Sequence, residues 1–90
     1  MNTLYNLLDD LMEIEGKLYS SKIHQATIDI VENCYEEVND FLDNKIKLNE
    51  NVLIGHLSYK VGNLIEICKE DFYDYQILTE LYNTLNKYTK

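Results

Sequence analysis

Sixteen carboxylates, two histidines, two cysteines and eight tyrosines are the side chains of this 90-residue chain that could carry chemistry. A carboxylate-bridged metal centre in a helical protein needs Glu-x-x-His, which turns both ligands toward one inward helix face. Glu13, Glu32, Glu36, Glu37 and Glu66 all lack a histidine three residues later. His24 and His56 stand alone, one near a helix start and one beside Leu57, with no partner at metal-ligand spacing. Both therefore read as structural or surface histidines. Asp9, Asp10 and Glu13 fall within one turn and read as a solvated helix face close to an N-terminus, where acids favour the macrodipole. There is no Gly-rich phosphate loop, no Gly-x-Ser-x-Gly elbow and no Cys/His nucleophile pair. Small helical enzymes that bind dianionic substrates do so with Arg, and the chain has none. The expectation is a protein without catalytic residues, metal or cofactor.

The charge balance narrows the partners. The net charge is −8 and all eight cations are Lys. Bidentate recognition of phosphates and base edges relies on Arg, so direct nucleic-acid binding is not expected. An acidic surface suits solubility, repulsion from anionic membranes or attraction to a basic partner. Cys34 and Cys68 lie on apolar stripes at helical spacing and read as small hydrophobes in a reducing cytosol, with a disulfide between two core helices left open. The N-terminal stretch has neither the basic region nor the continuous apolar run of a signal peptide. No run approaches a membrane span, and the expected location is the cytoplasm.

The elements that would position these groups are helices. Leu4, Leu7, Leu8, Leu11, Ile14 and Leu18 recur at spacings of three and four, with Thr3 or Asn2 as cap and Gly16 placed to end the helix in a left-handed turn. Ser20 and Ser21 offer caps for a second helix, whose stripe includes Ile23, Thr27, Val31, Cys34, Val38 and Phe41 before Asp43-Asn44-Lys45 ends it. The third helix places Leu53, Leu57, Val61, Leu64 and Cys68 on one side, with Gly55 and Gly62 opposite. The fourth begins near Asp71–Asp74 and carries Ile77, Leu78, Leu81, Tyr82, Leu85 and Tyr88. A Phe72–Ile77 staple sits at its start and Lys87 and Lys90 in its last turn. Four amphipathic segments with short turns predict one all-α domain over residues 1–90, an antiparallel four-helix bundle.

Tyrosine is the unusual component. Tyr73, Tyr75, Tyr82 and Tyr88 crowd the fourth segment and Tyr59 lies on the third, while Leu78, Leu81 and Leu85 already fill the inward face. Exposed Tyr supplies rigid contact area at protein interfaces, and half-buried helix packing is the other reading of the same residues.

The C-terminal half resembles the immunity proteins of class IIa (pediocin-like) bacteriocins, the enterocin A immunity group above all. The residues that carry the likeness are Val52-Leu53-Ile54-x-x-Leu57, then Phe72-x-x-Tyr75-Gln76, then Leu78, Leu81 and Leu85, with Leu4-Tyr5-Asn6 fitting the first helix. The resemblance implies a cytoplasmic four-helix bundle that protects a cell by engaging the membrane-embedded mannose phosphotransferase receptor once the bacteriocin has docked. It also implies that the C-terminal half governs selectivity, which points to Phe72, Tyr75, Gln76 and the adjoining helix. With Tyr82 and Tyr59 these form the candidate partner-binding set. Two rivals remain. One is a small acidic phage- or mobile-element-encoded inhibitor of a basic nucleic-acid-binding protein; the other is a homodimer joined through the Gly55/Gly62 face.

Overall fold

The computed structural model describes residues 3–18, 23–45, 47 and 49–88. Four helices account for nearly all of them: α1 (Thr3–Lys17), α2 (Gln25–Leu42), α3 (Glu50–Ile67) and α4 (Phe72–Lys87). Side-chain pairs fix their directions. Asp10 meets Tyr88 and Lys17 meets Glu80, so α1 and α4 run antiparallel. Ser58 meets Asn86 and Gly62 lies against Tyr82, so α3 and α4 do the same. The bundle is 36 Å long and about as wide as two helix diameters, 22 × 20 Å.

The core sits where the apolar stripes converge. Leu4, Leu7, Leu11 and Ile14 of α1 face Val31, Cys34 and Val38 of α2, Leu53, Leu57 and Val61 of α3, and Leu78, Leu81 and Leu85 of α4, all at most 2% exposed. Leu8, Ile30 and Leu64 occupy the stripe margins and are half-buried. Among the described residues no helix is long and apolar enough to cross a membrane.

The ends of the helices differ from the sequence reading in several places. Gly16 does not stop α1: no glycine has positive φ, the helix runs on to Lys17, and Leu18 is buried just beyond it. The pull of Leu18 onto the core outweighs the local preference of Gly16 for a left-handed turn. Thr3 is the first helical residue and not a cap, and Asn2 lies outside the described residues. Because α1 starts there, Asp9, Asp10 and Glu13 fall beyond its first turn and gain little from the macrodipole. Ser20, Ser21 and Lys90 also lie outside the described residues; α2 is preceded by His24 at the N-cap. After α2, the Asp43–Lys45 stop does form, with Asn44 in the left-handed region at φ 62°, where Asn is one of the few tolerant side chains. Asn49 caps α3 by accepting from the Asn51 N–H at 2.8 Å. The Phe72–Ile77 staple is replaced. Phe72 takes the first helical position, 64% exposed, with its ring edge-on to Tyr73.

Candidate interaction surface

The α3–α4 hairpin is built around a close approach at Gly62. A Cβ at that position would stand 3.5 Å from the Tyr82 ring, so the ring lies over α3 where any longer side chain would push it away. Below this contact the Ser58 hydroxyl donates to the Asn86 side-chain amide oxygen, Oδ1, at 3.3 Å. Gly55, one helical repeat earlier, faces open space. The two glycines therefore do not form a free flush surface, since one is already occupied by the chain's own tyrosine.

All five predicted partner-binding residues are on the outside of the bundle. Tyr59 is 70% exposed on α3, and Phe72, Tyr75, Gln76 and Tyr82 are exposed on α4. Helical spacing divides them. Tyr75 and Tyr82, seven residues apart, share the α4 row that runs past Asn86 toward α3, where Tyr59 also projects. Gln76 belongs with Tyr73 and Glu80 to the other flank. An open groove of about 970 Å³ lies along this flank of α4, reached also by Tyr75, with Lys17 of α1 at its edge in an ion pair with Glu80 at 2.6 Å. Phe72 stands at the N-terminal end, its ring 5.3 Å from that of Tyr73 at an interplanar angle of 73°. The α3 and α4 segments hold Glu50, Glu66, Asp74 and Glu80 against Lys60 and Lys87. Asp74 is buried and Glu80 is paired, so the tyrosine face carries little of the chain's acidity.

The first turn of α4, which presents Phe72, Tyr73, Tyr75 and Gln76, is held by a residue the sequence reading treated only as part of a helix start. Asp74 is 1% exposed and lies on the same inward stripe as Ile77, Leu78 and Leu81. Its carboxylate accepts three hydrogen bonds from the beginning of α2: Thr27 Oγ1–H at 2.6 Å, the His24 backbone N–H at 3.1 Å and His24 Nδ1 at 3.1 Å. His24 makes no side-chain cap bond for its own helix and α2 has no acid in its first turn. Asp74 supplies both functions across the bundle, since an anion satisfies orphan N-terminal donors and complements the helix dipole. It also sits in the first turn of α4, so one charge serves two helix N-termini. Burial pushes the Asp74 carboxyl up, but the bonds from Thr27 and from the side chain and backbone of His24 outweigh it and hold it below the ordinary 3.8. The same contact raises His24 above 6.5: first the hydrogen bond to Asp74, then the charges of Asp74 and Asp71, against a small desolvation.

A carboxylate that fixes Nδ1 of an imidazole also resembles the orienting half of a catalytic triad. Here the neighbouring hydroxyl, Thr27, donates to the carboxylate and not to the imidazole, so the arrangement binds two helices together. The thiols are shielded as well. Both cysteines are free, Cys34 is fully buried, and burial pushes its thiol up to about 12, helped by Glu37. Burial raises the Cys68 thiol too. No group of three His, Cys, Asp or Glu side chains suited to a metal occurs among the described residues.

The signal that could have revealed this clamp was present in the pattern. Asp74 and Thr27 each occupy an inward position on an otherwise apolar stripe, and a buried acid requires a buried donor. A second pairing gave no such signal: Tyr88 donates to Asp10 at 2.6 Å, and that bond raises the Tyr88 hydroxyl to about 12. Comparison of the chain with known families, with curated proteins and with solved structures gives no match.

Proposed function

We propose that this bundle is an immunity protein of the pediocin-like bacteriocin kind, acting from the cytosolic side by binding the mannose phosphotransferase receptor with its docked bacteriocin. The observation that supports the reading is the density of exposed aromatic rings on the α3–α4 hairpin, spread over α3 and both flanks of α4. Tyr59, Phe72, Tyr73, Tyr75 and Tyr82 each expose a third or more of their surface on a 90-residue protein. Water-exposed rings of this density are unfavourable in a monomer and are the residues that carry most binding energy once covered. Their support is rigid, because the Asp74 clamp anchors the first turn of α4 and the Gly62 contact seats Tyr82. A preorganised surface loses less entropy on association than a mobile one.

The test is protection in a living cell. The gene is expressed in a sensitive lactic-type bacterium and challenged with a panel of pediocin-like bacteriocins. Survival against one or a few of them is the expected result. Tyr75→Ala combined with Tyr82→Ala should weaken receptor binding by about 2–4 kcal/mol and abolish protection, with helical content by circular dichroism unchanged. Uniform killing in the presence of soluble, folded wild-type protein would remove the immunity reading. Full protection by the double variant would remove α4 from it.

A further inference from the structure

The opposite hairpin has a different character. Helical spacing places Tyr5, Leu8, Met12 and Glu15 on one row of α1, and Ile28, Glu32, Tyr35 and Leu42 on one row of α2. These rows lie beside each other. Leu8, Ile28, Tyr35 and Leu42 are half-buried against the core, and Glu32 acts on Glu15 across the helix pair. Burial first, and that neighbouring charge second, push the Glu15 carboxyl above its ordinary range. Along the outer edge Tyr5 is 58% exposed and Met12 56%, with no other element laid over them.

Among the described residues the carboxylates around this strip lack compensating cations. α2 contains no cation, and the one Lys of α1, Lys17, reaches away to Glu80 of α4. Asp10 and Glu37 have partners in Tyr88 and Lys60, on the sides facing α4 and α3. Among the described residues Asp9, Glu13, Glu15, Glu32 and Glu36 are paired with no cation. Like charges flanking an apolar strip repel each other until an opposite charge is brought between them. Methionine and tyrosine make the strip adaptable, as thioether and ring pack against aliphatic side chains of varied shape.

We propose that the α1–α2 face docks a basic amphipathic helix belonging to a protein partner. Its aliphatic side chains would lie over Tyr5, Leu8, Met12 and Tyr35, and its Lys or Arg heads would reach Glu15, Glu32 and Glu36. The row from Ile28 to Leu42 is about 20 Å long and matches a helix of about 14 residues. The acidity that attracts such a helix repels anionic lipid and nucleic acid, and a second copy of this chain would bring the same carboxylates into contact. This surface is separate from the tyrosine face of α3–α4, so it stands or falls independently of the immunity reading.

The experiment uses the whole chain and a fluorescein-labelled probe peptide of leucine and lysine, with leucines at i, i+3, i+4 and i+7. A second probe has the same composition in scrambled order. Anisotropy titration should give micromolar binding of the first and at least about tenfold weaker binding of the second, since only the first can form an apolar helix face. Tyr5→Ser with Met12→Ser should weaken binding about tenfold. Glu15→Gln with Glu32→Gln should weaken it about fivefold and flatten its dependence on salt between about 0.05 M and about 0.5 M. Tyr75→Ala with Tyr82→Ala should leave it unchanged. Equal affinity for both probes, indifference to the Tyr5/Met12 pair, or loss in the Tyr75/Tyr82 variant would each overturn the proposal. So would self-association, or binding to phosphatidylcholine vesicles, that disappears in the Tyr5/Met12 variant, because either would assign the strip to another occupant.

Discussion

Asp74→Ala should destabilise the bundle by about 2–4 kcal/mol, the largest loss expected from any single polar substitution. The change removes a charge-assisted acceptor and strands the Thr27 hydroxyl and the His24 N–H. It also deletes the anion at the start of α2, which has no acid of its own in that turn. A domain of this size has a total stability of about 5–13 kcal/mol, so the loss is a large fraction of it. The midpoint of thermal unfolding should fall by about 10–25 °C, read by circular dichroism at neutral pH. Asp74→Asn keeps the shape and one acceptor and should lose about half as much. A drop below about 0.5 kcal/mol for the alanine variant would mean that water replaces the three bonds without cost.

The same clamp sets a pH window. Asp74 is lowered from 3.8, so its contribution is complete above pH 3.8 and is lost as pH falls through the lower folded-state value. His24 is raised from 6.5, so its contribution is complete below pH 6.5 and is lost as pH rises through the higher folded-state value. Both are present together between pH 3.8 and pH 6.5. The His24 ring is open to water, so its share is the smaller. His24→Gln should erase the alkaline limb of the Tm–pH curve and shrink the acid limb to the part held by Thr27 and the backbone N–H, whereas Asp74→Asn should flatten both.

Replacing all three glycines by alanine should act in the other direction, raising stability by about 1.5–3 kcal/mol. Gly16, Gly55 and Gly62 all lie inside helices and none has positive φ. An alanine methyl at Gly16 or Gly55 meets nothing within 4 Å, and at Gly62 it meets the Tyr82 ring at 3.5 Å, an ordinary contact. Each substitution therefore gains helix propensity without a clash, and the sites are far enough apart for the gains to add. The midpoint should rise by about 10–20 °C. Gly62→Ala has a second use, because it extends α3 toward Tyr82 and should firm that ring on the interaction face. Destabilisation by the Gly62 change alone would show that the ring sits closer than 3.5 Å to the position of the added methyl.

The apolar rows were the legible part of this protein. Leu4 to Leu18, Thr27 to Val38, Leu53 to Val61 and Ile77 to Leu85 repeat at helical spacing, and these are the residues the bundle buries. Exposure of the tyrosines was not legible in this way, because a Tyr beside an inward row suits half-buried packing as well as open surface; the structure leaves Tyr59 70%, Tyr75 41% and Tyr82 36% exposed. Helix ends were also less legible than the rows. Gly16 carries a local preference for a turn, and what overrules it is the burial of Leu18, a tertiary effect. The clamp was half legible: Asp74 and Thr27 interrupt apolar rows, but Asp74 near a helix start also has the look of an ordinary first-turn acid, and its donors lie 47 and 50 residues away. Charge pattern alone gave no sign that Asp10, one of three clustered acids, is the acceptor for Tyr88.

Because α2 begins on a group lent by α4, the two hairpins cannot open one at a time without loss. Separation of α4 leaves the first turn of α2 without its acceptor, and fraying of α2 leaves a carboxylate in an apolar setting with nothing to donate to it. Each half is thereby tied to the fate of the other, and partial unfolding is penalised from both sides. In a hydrogen-exchange experiment, the His24 amide and the start of α4 are expected to open together as one foldon. A chain of four short helices, which local propensity would let melt piecemeal, becomes a single cooperative unit through one buried oxygen pair.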